Sequence, residues 1–368
     1  VTAGIALAFL PIGLKISLTG DLIFSVLLPP LIFEAALQLK WDAFRRDLPL
    51  TVCLALIGVF IASLVVAAGM SLIIGWNWIA AALFGVLIAA TDPVSVIAAF
   101  KDMKVQPRLS LVVEAESLLN DGAAAVGFAL LVGLVTASAA TPMAMGLSLL
   151  WTVAGGVLSG IAVAGSLLLI SGRTDDHFVE ITLTTIAAYG SFMLAERLHA
   201  SGVLASLSAG LLVRNLGWMS AISETSQAYI LDFWEYAAFL ANSFVFILIG
   251  VGEASQRFSW EVAWAVYVAV LLVLLGRALA VYPLAALFGR SRSSLTLAYQ
   301  HVLVWGGLRG ALALALALAL PIELKERQQI IAVAFGVVAF SIFVQGISMP
   351  WLIAWLGLLA PDDEDPAR

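Results

Sequence analysis

Long apolar runs, each near the roughly 20 residues a helix needs to cross the hydrocarbon core of a bilayer, alternate along this chain with short polar connections. The runs fall at about 1–14, 21–39, 48–75, 78–101, 110–137, 145–172, 177–199, 201–214, 230–252, 260–289, 293–320 and 328–358. They predict an all-α polytopic membrane protein of about twelve spans, bathed in membrane lipid. A membrane barrel would instead show short alternating segments. Span 201–214 is short for a crossing, and the polar stretch 215–229 predicts a linking helix on the surface.

Composition agrees with the pattern and adds an orientation. Hydrophobic residues make up 62% and charged residues 11% of 368 positions, against about 45–50% and 25% in soluble domains. Lys40, Arg45, Arg46, Lys101, Lys104, Arg108, Arg173, Arg214, Arg290 and Arg292 fall in alternate loops; the opposite loops carry only Lys15, Arg197, Arg257, Lys325 and Arg327. By the positive-inside rule the richer side is cytoplasmic, and so is the acidic tail 359–368. The expected location is the cell (inner or plasma) membrane. The chain opens at Val1 in apolar sequence, which suggests one further helix before it and thirteen spans in all. The single cysteine, Cys53, excludes an intrachain disulfide. No phosphate-binding GxxxxGK[ST] pattern occurs, so neither nucleotide nor nucleic acid is an expected partner and no cofactor is expected.

Charged groups within spans cost at least about 2.5–3.5 kcal/mol each on insertion scales, and they are therefore functional candidates. Here they are Glu34, Asp92, Glu114, Glu116, Asp121, Arg277 and Arg309. Thr91-Asp92-Pro93 places a proline mid-span, where it removes a helical hydrogen bond and predicts a broken helix. Its freed carbonyls either line a cavity or belong to a kink that Asp92 caps. In 114–122, Glu114, Ser117 and Asp121 share one helix face, and Glu116 and Asn120 the adjacent one. Glu114 suits the entrance to a site as well as a place within it. Trp305-Gly306-Gly307-Leu308-Arg309-Gly310 predicts a second interruption. Two interrupted spans, seven apart, point to an inverted-repeat transporter with its site near the midplane. On that reading one membrane domain fills the chain: 1–137 as first half, 145–172 as linker span and 177–358 as second half. Arg277 reads as a structural partner with an unidentified counter-charge. Gly155, Gly156, Gly160 and Gly165 read as close helix packing, and Ala311–Leu320 as lipid-facing or packed helix.

The sequences LLPPLIFEAAL (27–37), TDPVSV (91–96), EAESLLNDGAAAV (114–126), SGVLA (201–205), NSFVFILIG (242–250) and WGGLRGALALAL (305–316) resemble the cation:proton antiporter-1 family, the bacterial sodium–proton antiporters related to sodium–hydrogen exchangers. The resemblance implies a homodimer of thirteen-span protomers with two broken, crossing helices. It implies that Asp121 binds cation and proton alternately, with Ser117, Thr91 and Glu34 as further ligands of Na⁺, Li⁺ or K⁺. It further implies that Glu116 pairs with Arg309, and that Asn120 and Asp92 support the helix crossing.

Competition at one carboxylate is the expected mechanism. An aspartate with the ordinary aqueous value near 3.9 is ionised at every cellular pH and carries no proton. Burial disfavours the charged form, so that one group can hold a proton or a cation but not both. Asn120, rather than a second acid, precedes Asp121, which predicts electroneutral one-for-one exchange, regulating internal pH and sodium. A cation channel would use similar groups without returning protons. A membrane enzyme finds no support in His177, His199 and His301, which lack metal-ligand spacing.

Overall fold

The computed structural model of the protein describes residues 23–136, 142–171, 176–218, 222–255 and 259–359. The predicted span 1–14 and nearly all of the acidic tail lie outside them. The described helices are α1 (Leu28–Gln38, continuing a π-helical turn over Ile23–Leu27), α2 (Trp41–Ile74), α3 (Trp78–Leu87) and α4 (Val94–Asp102). They continue with α5 (Pro107–Thr136), α6 (Pro142–Ser171), α7 (His177–Arg197), α8 (Gly202–Gly217), α9 (Glu224–Ser255) and α10 (Trp260–Leu287). The last three are α11 (Leu297–Trp305), α12 (Ala311–Leu318) and α13 (Arg327–Trp355). No strand occurs among the described residues, and seven of these helices are long and apolar enough to cross a membrane.

Local sequence sets the boundaries. Asn77, Asp176, Ser201, Ser259 and Thr296 each accept a hydrogen bond from a backbone N–H in the first turn of the helix that follows, satisfying donors that a helix start leaves open. Gly75 ends α2 in the left-handed region at φ 85°. The polar stretch expected as a linking helix, 215–229, is described except at residues 219–221. A π-helical turn carries α8 through Gly217, and α9 begins at Glu224.

Small residues let the helices approach. With lipid as solvent, association rests on van der Waals contact and interhelical hydrogen bonds. A Cβ on Gly156 would lie 2.6 Å from the Ser201 carbonyl oxygen, and one on Gly160 2.2 Å from that of Ala205. Thus α6 and α8 touch backbone to backbone, as the glycine spacing predicts; at Gly165 the nearest atom, of Leu212, is 3.8 Å away. Helices α6, α7 and α8 pack together, with α1 on α8 and α9. Helix α2 packs on α3 and α10, and α10 on α13. The strand-like alternation from Ala311 is helical, and every side chain from Ala311 to Ala317 is buried, so α12 is packed on all sides rather than lipid-facing.

Candidate functional site

Two interrupted helices meet at their breaks. Residues 88–93 separate α3 from α4, and residues 306–310 separate α11 from α12. Pro93 cannot donate a backbone hydrogen bond, and it pushes the residue before it towards extended conformation. The Asp92 N–H, freed from any helix, donates to the Leu308 carbonyl in the other break at 2.9 Å. The Asp92 carboxylate accepts from the Val94 N–H at 3.0 Å, so it caps α4 at the positive end of the helix dipole. Of the two readings of this break, the Asp92 cap is present, and Thr91 and Asp92 also line a cavity. Its Oδ2 would lie 2.0 Å from a Cβ on Gly310, so the approach of the two breaks demands glycine there.

The two buried arginines divide the helix ends between them. The Arg309 Nη1 donates to the carbonyls of Ala89 and Ala90, each at 3.2 Å, just beyond the C-terminus of α3. The Arg277 Nη2 donates to the Leu303 carbonyl at 2.7 Å, at the C-terminal end of α11. Cations there satisfy carbonyls that have lost their helical donors and face the negative end of the dipole.

This arrangement corrects one expectation. Glu116 pairs with Arg277, not with Arg309: Nη1 to Oε1 is 2.7 Å and Nη2 to Oε2 is 3.4 Å. The Arg309 guanidinium is drawn instead to the unpaired carbonyls of the first break, which are near it and cannot otherwise be satisfied. The unidentified counter-charge of Arg277 is therefore Glu116.

On α5, the two faces predicted from spacing do different things. Asn120 lies on the Glu116 face and is fully buried. Its amide donates to Glu116 Oε1 at 3.1 Å and to the Thr91 hydroxyl, and its carbonyl accepts from the Thr91 N–H at 3.1 Å. Ser117 donates to the Thr91 carbonyl and accepts from the Thr91 hydroxyl at 3.2 Å. Asn120 and Ser117 thus bind the first break to α5. Asp121 differs from both. Its Oδ1 is buried and has no hydrogen-bond partner among the described residues.

A cavity of about 550 Å³ lies beside it. Its lining includes Glu34, Thr91, Asp92, Glu114, Ser117 and Asp121, which brings every expected ion ligand to one space. Glu34 comes from α1, where it also accepts from Gln38 at 3.0 Å. Asn120, Glu116 and Arg309 stand behind the wall. The cavity is bounded on its far side by Glu235, Asn242 and Ser243 of α9, residues that the sequence reading left without a role. Their signal was present: NSFVFILIG opens on two polar side chains inside an apolar span.

The chain as a whole is similar to known proteins. A family model described as "Sodium/hydrogen exchanger, transmembrane" matches residues 1–355. The Na(+)/H(+) antiporter ApNhaP of Aphanothece halophytica is 36% identical over 98% of this chain and 69% of its own length. The low-affinity Na(+)/H(+) antiporter NhaS1 of Synechocystis sp. is 37% identical, with the same two shares. Among solved structures, the sodium proton antiporter MjNhaP1 of Methanocaldococcus jannaschii at pH 8 superposes with a TM-score of 0.73. It covers 91% of this chain and 85% of its own at 20% identity, a likeness of fold.

Proposed function

Because the chain belongs to the sodium/hydrogen exchanger family, we propose that it exchanges sodium for protons by competition at a single carboxylate, that of Asp121. The protein is a multi-pass membrane protein and a secondary transporter rather than an enzyme. The observation that carries the assignment to Asp121 is its buried Oδ1, which faces no donor while the charges around it have fixed partners. Glu116 is held by Arg277, Asp92 caps α4, and Arg309 is held by two carbonyls. Among the charged groups of the helix crossing, Asp121 is the acid left for a mobile cation to neutralise.

Sodium is a hard cation, and oxygen ligands suit it. Thr91, Ser117 and Glu34 join Asp121 in offering carbonyl, hydroxyl and carboxylate oxygens to the cavity. One carboxylate neutralised by one Na⁺ or one H⁺ makes the exchange one for one and electroneutral, and the same competition admits Li⁺ or K⁺. If the helix crossing moves only when Asp121 is neutralised, neither ion leaks alone, because an uncompensated charge in the membrane interior is costly.

The cavity extends from Asp121 past Glu114 and Gln38, towards the loops with Lys40, Lys104 and Arg108. Those loops lie on the basic side, so this conformation opens to the cytoplasm, the C-terminus is cytoplasmic and the host is the cell membrane. The protein works as a homodimer and regulates internal pH and sodium.

The test is reconstitution of the full chain into vesicles with an imposed pH gradient. Addition of Na⁺ should dissipate the gradient, independently of membrane potential, and Asp121→Asn should abolish the response while purifying as a monodisperse species. Sodium-dependent proton movement in that variant, or a strong potential dependence in the wild type, would refute the reading.

A further inference from the structure

We propose that Asn242 supplies a cation ligand from the wall facing Asp121 and sets the preference among monovalent cations. The inference rests on the reading of Asp121 as the exchange site and adds a residue from the opposite helix.

The argument begins with spacing. On α9 the cavity is lined at Glu235, Phe239, Asn242 and Phe246, positions that recur on one helix face. On α5 it is lined at Glu114 and Asp121. Seven residues separate Glu114 from Asp121, and seven separate Glu235 from Asn242, a rise of about 10 Å in each case. Helices α5, α7 and α9 alternate with α6 and α8, so α5 and α9 cross in the same direction. An acid and, two turns deeper, an oxygen-bearing side chain thus recur along each of two helices that line one cavity. Asn242 and Asp121 line the same cavity.

The state of the side chain is the second observation. Polar side chains inside membrane spans are retained where they bond a neighbouring helix or serve a site. Ser208 on α8 shows the first use, donating to the Val157 carbonyl of α6 at 3.2 Å. The Asn242 side chain makes no hydrogen bond to any described residue, although α9 packs against α1 and α7. It faces the cavity instead.

The chemistry is complementary. Replacing a cation's hydration shell takes several oxygens, and the number and rigidity of those oxygens govern selection by ion size. Asp121, Thr91 and Ser117 supply theirs from one wall. An amide oxygen from α9 adds a ligand without adding charge, so it strengthens cation binding while leaving the one-for-one exchange intact. A carboxylate at this position would add a negative charge to the cavity. Asparagine is the choice that separates selectivity from stoichiometry.

The experiment is kinetic. The full chain carrying Asn242→Ala or Asn242→Ser is reconstituted beside the wild type and Asp121→Asn, and KM and kcat are measured with Na⁺, Li⁺ and K⁺ in turn. Asn242→Ala should raise the KM for Na⁺ about tenfold, the effect of losing one ligand oxygen of about 1.4 kcal/mol. It should change the ratio of Na⁺ to Li⁺ KM values and hold kcat within about twofold. Asn242→Ser, which keeps an oxygen, should fall between. Unaltered KM values and ratios, or a fall in kcat alone, would overturn the inference. If Asn242→Ala aggregates, wild-type KM values in Asn242→Ser would overturn it equally. Residual exchange in Asp121→Asn would count against the parent reading alone, because the KM ratios still report whether Asn242 touches the cation.

Discussion

Removing both members of the Glu116–Arg277 pair should destabilise the protein by less than the two single losses added together. The guanidinium makes two contacts with the carboxylate, at 2.7 and 3.4 Å, and one with the Leu303 carbonyl at 2.7 Å, and both side chains are buried. Breaking a buried pair from one side costs about 3–5 kcal/mol, because the charge left behind has neither water nor counter-ion. Arg277→Met also strips a donor from Leu303, adding about 1–3 kcal/mol. Glu116→Gln leaves the arginine its carbonyl contact and should sit near the lower end of the range. The double variant should be about 2–3 kcal/mol more stable than the sum of the two losses, since no unpaired charge remains. Unfolding in mixed micelles, followed by the fluorescence of the eleven tryptophans, gives the four corners of the cycle. The same cycle run on Glu116 and Arg309 is the comparison. Additive losses for Glu116 and Arg277, or a larger coupling of Glu116 to Arg309, would show that the pairing is wrong.

Two further outcomes follow from the site. If proton and cation compete for Asp121, acidification should raise the apparent KM for Na⁺, by up to about tenfold per pH unit where the site is mostly protonated, at constant kcat; a KM independent of pH would contradict competition. Gly310→Ala places a methyl group 2.0 Å from Asp92 Oδ2, so transport should fall at least about tenfold, and wild-type turnover in this variant would refute the tight meeting of the breaks.

What the sequence disclosed depended on locality. Pro93 and the glycines at 306, 307 and 310 announce interruptions because each acts on its own backbone. The spacing of 114 to 121 announces two helix faces because a helix turns regularly. The partner of Glu116 was not legible in this way. Arg277 and Arg309 lie 161 and 193 residues further along the chain, each alone in an apolar span, and either could neutralise the acid. The choice is made by the freed carbonyls of Ala89 and Ala90, which occupy Arg309 and which no residue count displays. A lone buried arginine at 277 did signal that some acid must reach it. Asn242 was missed for a related reason: an uncharged amide in an apolar run carries no obligation until the space in front of it is seen.

The bond from the Asp92 N–H to the Leu308 carbonyl, with Arg309 spanning back 219 and 220 residues to Ala90 and Ala89, ties two non-helical segments into one mechanical piece. Irregular backbone ordinarily exchanges its amide hydrogens quickly. Here the Asp92 amide should be among the slowest in its span, and it should stay slow whether the cavity faces one side of the membrane or the other. Faster exchange is expected along α9 and α1, which line the cavity opposite the breaks without a hydrogen bond to them among the described residues. Amide exchange would therefore map the boundary between the carriage and its rails without any ion being transported.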